Sequence, residues 1–138
     1  MALDKQHDSA DADAVRGLIE RWAAAVRAHD YEGILAEHAP GIVMFDVPPP
    51  LLSRGIDEYR RTWDLFFTVH EPGDAFDVLD LEVTAGRDVA FAVALMRCGG
   101  SHDGEGEAYL LDFRLTVGLR KLAGRWQIVH EHHSVPAD

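Results

Sequence analysis

The sequence of 138 residues contains a single cysteine, so an internal disulfide bond is excluded. That residue, Cys98, lies within an apolar run, and we expect a buried structural thiol there rather than a nucleophile. Basic residues are also scarce, since 13 Lys and Arg stand against 24 Asp and Glu and give a net charge of −11. Such a charge argues against nucleic acid or an anionic membrane as a partner, so a binding function must be local to a pocket.

Long apolar runs and cofactor motifs are missing as well. No run is long enough to span a bilayer, and residues 1–15 lack the regions of a secretory signal, so we expect a cytoplasmic protein without membrane contact. The glycine-rich run over 99–106 lacks the lysine and the following helix of a phosphate-binding loop, and we interpret it as a mobile loop. Because no HExxH or CxxC motif occurs, we expect neither a metal nor a cofactor.

What the sequence has is the composition of one folded domain. Apolar residues make up 47% and charged residues 27% of a chain long enough to bury a single core. Residues 1–8 are predicted to form a flexible tail, and residues 9–138 a single domain.

Helical spacing of apolar residues marks three segments. The first helix is predicted to begin at Ser9 or Asp11, and its inward stripe is Val15, Leu18, Ile19, Trp22 and Val26. A short second helix is predicted over residues 31–38, and a third begins after Gly55. The inward stripe of this third helix is Ile56, Tyr59, Trp63, Phe66 and Phe67. Trp63 and Phe67 are then either core residues or part of a ligand-binding surface.

Extended segments dominate the second half of the chain. Residues 41–46 predict a short strand, and the three prolines at 48–50 must form a rim or loop. From Phe76 onward, extended runs predict a meander of long strands. The run 89–98 is apolar on both faces, which is typical of a sheet that is covered on both sides. This order favours an α+β fold, with helices on one face of the sheet and a homodimer interface on the other.

Residues 107–134 predict a long antiparallel hairpin that turns at 122–125, where Gly124 can supply a positive φ. On its first arm, Arg114 and Thr116 point away from an apolar face. A loop with an even number of residues places this pair next to residues 131 and 133. A three-residue loop with a bulge at Gly124 places it next to residues 130 and 132 instead. Arg114 lies beside a histidine in both registers.

The run 124–134, GRWQIVHEHHS, resembles the closing strand of the nuclear transport factor 2-like superfamily, especially its SnoaL-like and ketosteroid isomerase-related branches. It is also similar to the association domain of calcium/calmodulin-dependent kinase II. The likeness extends from the helix of Trp22 through Asp46 and Gly55 to Ser134. It implies a cone-like fold, in which three N-terminal helices pack on a curved, mainly antiparallel sheet that encloses a pocket.

Asp46 is the first candidate for chemistry. It follows an apolar strand, and apolar surroundings disfavour the charged form of a carboxylate and make it a usable general base. The alternative is a loop aspartate that makes a turn hydrogen bond. The resemblance implies that Asp46 occupies the place of the proton-abstracting aspartate of ketosteroid isomerases. Where those enzymes carry a tyrosine and an acid as donors, this chain has Trp22 and Thr116, which are weaker donors.

The closing hairpin supplies the other candidates. Arg114 on a partly apolar sheet must find an anion or a carboxylate, with Glu131 as an internal alternative. His130 and His132 share a strand face, but no third ligand at a recognised spacing supports a metal site. We therefore assign acid, base or hydrogen-bonding roles to these histidines. The predicted catalytic residues are Asp46, His132 and His133, and the predicted substrate-binding residues are Trp22, Trp63, Phe67, Arg114, Thr116 and Glu131.

Two functional classes follow. The first is a pocket protein that binds a small, mainly apolar carbonyl compound and, without a cofactor, isomerises, cyclises or dehydrates it by proton transfer. The second is a non-catalytic ligand-binding or association module, because the resemblance to the kinase association domain implies that this scaffold serves that role too.

Overall fold

The computed structural model describes residues 2–101 and 108–137, and these contain three helices and six strands. In chain order the elements are α1 (Ala2–Arg27), α2 (Tyr31–Leu35), β1 (His38–Phe45), β2 (Ser53–Arg54), α3 (Ile56–Phe66), β3 (Phe76–Ala85), β4 (Val89–Ser101), β5 (Ala108–Leu122) and β6 (Arg125–Ser134). The loop predicted over 99–106 differs, because its first three residues belong to β4, and the remainder lies outside the described residues. Neither described segment contains a helix that is long and apolar enough to cross a membrane.

The six strands form one sheet in the order β2-β1-β6-β5-β4-β3. Only the β1–β6 pair is parallel, so the sheet is mixed but mainly antiparallel, and the predicted α+β class is confirmed. The helices do not all precede the strands, since β1 and β2 lie between α2 and α3. This parallel pair brings the early part of the chain against its closing strand.

The second helix is shorter than predicted. It ends at Leu35, because Ala36 is already extended and Glu37 has a φ of 60° that turns the chain into β1. His38, predicted to end a helix, is therefore the first residue of a strand. The first helix differs at its other end, since α1 begins at Ala2, within the stretch expected to be a tail. Its predicted stripe, from Val15 to Val26, is buried.

The hairpin between β5 and β6 turns as predicted but pairs differently. Ala123 and Gly124 have φ values of 51° and 78°, and this two-residue turn sets Leu122 opposite Arg125. A bulge then follows, because Leu119 pairs with residue 128 and Gly118 with residue 130, which leaves residue 129 without a partner. One extra residue moves every later side chain of β6 to the opposite face.

The bulge decides which residues of the hairpin point toward the helices. Before it, Trp126 and Ile128 are buried, and after it, Glu131 and His133 are buried. The register that placed Arg114 next to His133 is therefore wrong, since Leu115 pairs with His133. In the observed pairing Thr116 lies opposite residue 132 and Arg114 opposite residue 134. Both point away from the helices.

Strand β4 has mostly alanine side chains on one face and larger apolar ones on the other. The residues under the helices are buried and are Ala90, Ala92, Ala94 and Met96. The residues on the opposite face are between 40% and 59% exposed and are Val89, Phe91, Val93 and Leu95. We call this second surface, with Arg114 and Thr116 beside it, the outward face. Within the described chain it is not covered by a helix.

Trp22 lies in the core behind β6. Its ring meets Phe76 edge-on at 5.3 Å and Trp63 at 5.9 Å, and its indole N–H donates to the Tyr59 hydroxyl at 2.9 Å.

We expect Trp22→Ala to lower the free energy of unfolding by about 3–5 kcal/mol, because a buried indole is replaced by a void. Urea denaturation measures the loss. Trp22→Phe is the matched control, since it keeps most of the volume and loses only the N–H; an unchanged urea midpoint in the alanine variant would contradict the core assignment.

Candidate functional site

A carboxylate with no solvent contact lies at the centre of the candidate site. Glu131 on β6 is 0% exposed, and the bulge in β6 turns it toward the helices. His133 Nε2 donates to its Oε1 at 2.9 Å. Its Oε2 contacts Tyr59 Oη at 2.7 Å and His38 Nε2 at 2.8 Å. Strands β1 and β6 and helix α3 thus supply every side chain that hydrogen-bonds to this carboxylate among the described residues.

These contacts fix the charge of Glu131. Burial alone would raise its pKa, but the hydrogen bonds from His133 and His38, and the positive charge that these rings carry when they are protonated, lower the pKa to about 2. Tyr59 responds in the opposite sense, because burial and then the negative charge of Glu131 raise its pKa well above the usual value. Tyr59 therefore keeps its proton. Since it accepts a hydrogen bond from the Trp22 indole, its own hydrogen is directed to Glu131.

His133 is held between this carboxylate and a cavity. Its ring is stacked on Phe113 at 5.7 Å and meets the edges of Trp22 and Trp63, each at 6.1 Å. Because Nε2 donates to Glu131, the neutral ring has an unprotonated Nδ1. Among the described residues this nitrogen has no hydrogen-bond partner. An oriented base with one open lone pair is thus part of the cavity wall.

The cavity has a volume of about 370 Å³ and mainly apolar walls. Aromatic side chains cover much of its surface, namely Trp63, Phe66, Phe76 and Phe113. Its mouth opens to solvent beside side chains that are 43% to 54% exposed, namely Val47, Leu65, Val69 and Leu111. Thr62 and Thr68 also lie in the wall, but their hydroxyls are bonded to backbone carbonyls of α3. The size and lining fit a small apolar molecule.

A second histidine lies in the same wall. His70 donates from Nδ1 to the Phe66 carbonyl at 2.8 Å and accepts the Tyr109 hydroxyl at Nε2 at 2.7 Å. Burial is the main cause of the raised pKa of Tyr109. Cys98 is buried nearby, as predicted, and burial raises the pKa of its thiol to about 11, so it stays protonated. These groups add polar atoms to an otherwise apolar wall.

Asp46 lies at the edge of the cavity, in the loop after β1. Its Oδ1 accepts a hydrogen bond from the backbone N–H of Val47 at 2.8 Å, which is the turn contact considered from the sequence. The carboxylate also borders a neighbouring groove formed by the prolines at 48–50. Asp46 therefore makes the turn contact and borders the cavity at the same time.

Several predicted residues are not brought to the cavity. Arg114, Thr116 and His132 lie on the outward face, where Arg114 Nε donates to Ser134 Oγ at 3.0 Å. A ligand in this cavity therefore has Asp46 but not Arg114 within the surrounding wall. Phe67 stacks on His29 at 3.7 Å and packs behind Trp63, but it does not itself line the cavity. Trp22 lies behind His133, while Trp63 does line the cavity, with an indole N–H that is buried and unpaired among the described residues.

Two contributors to the site were missed from the sequence. His38 was assigned to a helix end, and Tyr59 was treated only as part of an apolar stripe. The spacing of four between Tyr59 and Trp63 places both on one helix face, so a buried hydroxyl that needs a partner was the available signal. His38 gave no comparable signal. No group of three or more metal-ligating side chains is assembled within residues 2–101 and 108–137.

Comparison with known proteins places this geometry in context. Residues 15–138 match the family model of the SnoaL-like domain. An NTF2-like protein of unknown function from Pseudomonas putida is 38% identical with a TM-score of 0.82, over 94% of this chain and 89% of that one. A ketosteroid isomerase-like protein from Erwinia carotovora is 18% identical (TM-score 0.77; coverage 93% and 98%), and the association domain of C. elegans CaMKII is 22% identical (TM-score 0.74; coverage 95% and 99%). No curated protein matches the sequence.

The charge of Glu131 predicts how stability depends on pH. The pKa of about 2 in the folded protein lies below the ordinary value of 4.5, so the ionised group stabilises the fold above pH 4.5. That contribution is lost as the pH falls from 4.5 to 2. We expect the difference in unfolding free energy between wild type and Glu131→Gln to shrink by about 3 kcal/mol between pH 6 and pH 2. Urea denaturation across this range measures it; a difference independent of pH would contradict an ionised Glu131.

Proposed function

Because this chain belongs to the SnoaL-like domain family, we propose that it binds a small, mainly apolar carbonyl compound and moves a proton on it without a cofactor. The observation that carries the proposal is His133, a base that lines an apolar cavity and whose ring is fixed by a buried carboxylate through Nε2, which leaves Nδ1 open. The similarity to a ketosteroid isomerase-like protein supports the same chemistry.

The walls of the cavity restrict the ligand. Trp63, Phe76 and Phe113 offer ring faces and edges that pack against a flat apolar body. A charged ligand would lose its hydration against these walls without a paired group of opposite charge at the inner end. The negative charge of Asp46 at the edge of the cavity also disfavours anions. An uncharged ketone or aldehyde with an aromatic or alicyclic body fits best.

The proposed step uses His133 as the base. Its Nδ1 takes a proton from the carbon next to the carbonyl, the C–H electron pair forms an enolate, and the ring becomes an imidazolium. Glu131 stabilises this cation through the hydrogen bond to Nε2, in the way that a carboxylate orients and stabilises a catalytic histidine. Return of the proton to a different carbon isomerises an unsaturated compound. Loss of a β-hydroxyl group, which takes the proton from the imidazolium and leaves as water, dehydrates the compound. Attack of the enolate carbon on a second carbonyl of the same molecule, with transfer of the imidazolium proton to the new alkoxide, cyclises it. Asp46 is the second group at the cavity able to accept a proton.

Exchange of hydrogen for deuterium tests this step without knowledge of the natural substrate. We expect the wild type in D₂O to accelerate exchange of the methyl protons of 2-acetylnaphthalene, an uncharged aromatic ketone, followed by NMR. His133→Gln keeps an N–H toward Glu131 but has no basic nitrogen, so the enzymatic exchange rate should fall on the order of 10²-fold or more. Asp46→Asn is the matched variant at the other candidate base, and melting curves control for folding.

Three results would change the proposal. A loss of at least the same size in Asp46→Asn, with His133→Gln unaffected, would make Asp46 the base. If the ketone binds and the wild type does not accelerate exchange, the proton-transfer step is wrong and a ligand-binding module takes its place. If neither this ketone nor related aryl ketones bind, the assigned ligand class is wrong.

A second candidate function is association, and the outward face favours it. Its aliphatic and aromatic side chains on β4 are 40% to 59% exposed, which is unusual for a contiguous surface left in water. The fold shared with a CaMKII association domain supports the same interpretation. We propose that two copies of the chain pair through this face.

A single charge tests the pairing. We expect the wild type to sediment as a dimer at micromolar concentration and Val93→Lys to sediment as a monomer, because the new ammonium group would be buried at the interface. Val93 pairs with Glu82 on the neighbouring strand, so the lysine gains a local partner and the monomer should fold normally. Glu82→Lys changes charge beside the apolar surface and is the control. A wild-type monomer would contradict the proposal.

A further inference from the structure

The hydrogen bonds of His38 determine how many protons its ring carries. Its Nδ1 lies 2.7 Å from the carbonyl oxygen of Ala36, and a carbonyl only accepts, so Nδ1 must be protonated. Its Nε2 lies 2.8 Å from Oε2 of Glu131. A hydrogen must lie between these two atoms, either on the ring or on the carboxyl group. The pair therefore shares one proton and is neutral as a unit.

The surroundings of Glu131 favour the ring as the place of that proton. Three donors converge on the carboxylate, from His38, Tyr59 and His133, which is the environment that stabilises an ionised acid. The hydroxyl of Tyr59 accepts from the Trp22 indole and lies 2.7 Å from Oε2 of Glu131 but 3.1 Å from Nε2 of His38, so its hydrogen goes to the nearer carboxylate oxygen and Nε2 is left as a donor. The His38 ring also stacks on Tyr59 at 4.9 Å, and this contact holds its plane toward Glu131.

We infer that His38 carries both ring protons and is the positive partner of Glu131, so that His133 remains an uncharged base with Nδ1 open to the cavity. His38 is thus a positioning residue, which acts on a ligand only through Glu131 and His133. The role of His38 in catalysis rests on the proposed function. The charges assigned to His38, Glu131 and His133 do not depend on it. The role of His38 does not follow from the motif over 124–134, because His38 lies outside it, 93 positions before Glu131.

The other ionisable groups near His133 do not replace this arrangement. The His133 ring is hydrogen-bonded to Glu131, which is also on β6. The other oxygen of that carboxylate contacts His38 from β1 and Tyr59 from α3. The remaining titratable groups that share the cavity wall are Asp46, His70, Cys98 and Tyr109. His70 is already bonded at both nitrogens, and no hydrogen bond joins Asp46 to His133 within the described residues. His38 is therefore the only imidazole besides His133 that contacts the buried carboxylate in the described chain.

The test uses the ligand-free protein with ¹⁵N-labelled histidine. Long-range ¹H–¹⁵N spectra distinguish a doubly protonated ring from each neutral tautomer, so at pH 7 we expect His38 to be doubly protonated and His133 to carry a proton on Nε2 alone. In His38→Gln the side chain still donates to Glu131 but has no charge. The buried carboxylate then requires another cation, and we expect His133 to become doubly protonated. Ketone exchange at pH 7 should fall roughly tenfold or more, because a protonated ring is no base.

A matched variant separates charge from packing. Tyr59→Phe removes a neutral donor from the same carboxylate, and we expect His133 to keep its single proton in that variant. A singly protonated His38 in the wild type would overturn the inference even if His38→Gln fails to fold, and so would an unchanged His133 in a folded His38→Gln. The spectra need no ligand, so their result does not depend on the result of the exchange assay. A wild type with the expected charges but no exchange refutes the proposed function alone.

Discussion

A carboxylate that has no contact with water must be satisfied entirely by the protein around it, and Glu131 imposes that condition on this fold. Its three donors come from β1, α3 and β6, and α1 adds the indole of Trp22 behind Tyr59. Removal of one partner from a buried ion pair typically costs about 3–5 kcal/mol, because the other charge is left behind. The packing of the first and third helices against the sheet is thus coupled to the geometry of one side chain.

The need to satisfy the buried Glu131 carboxylate with protein groups also explains the bulge in β6. A regular strand would place Trp126 and Ile128 on one face and, since alternation has a period of two, would turn Glu131 and His133 to the other. One residue without a partner, at position 129, lets both sets point toward the helices. The local irregularity therefore combines an apolar half of the strand with a polar half, and the polar half reaches the cavity through His133.

Much of the fold was predictable from periodicity, and the orientation of the site was not. The stripe of α1, the turn at Gly124 and the two unequal faces of β4 follow from spacing and side-chain type. The face of each histidine depended on a bulge, and no residue type near position 129 marks it. Of the residues that the sequence singles out, Trp63, Glu131 and His133 meet at one place, whereas Arg114 and Thr116 lie on the sheet face opposite the cavity. The role of His38 could not be predicted from the sequence, because it arises only when β1 pairs with β6.

The parallel pairing of β1 with β6 also has a consequence for how the molecule matures during synthesis. His38 and Tyr59 leave the ribosome long before residue 131, and β6 follows every other strand of this sheet along the chain. Contacts between segments so far apart in sequence form late, since a long loop must close before they contribute any stability. In a nascent chain that ends before β6, the hydroxyl of Tyr59 and the imidazole of His38 still lack the carboxylate to which they bond. The cavity wall and the acid–base group within it are therefore completed together by the closing strand.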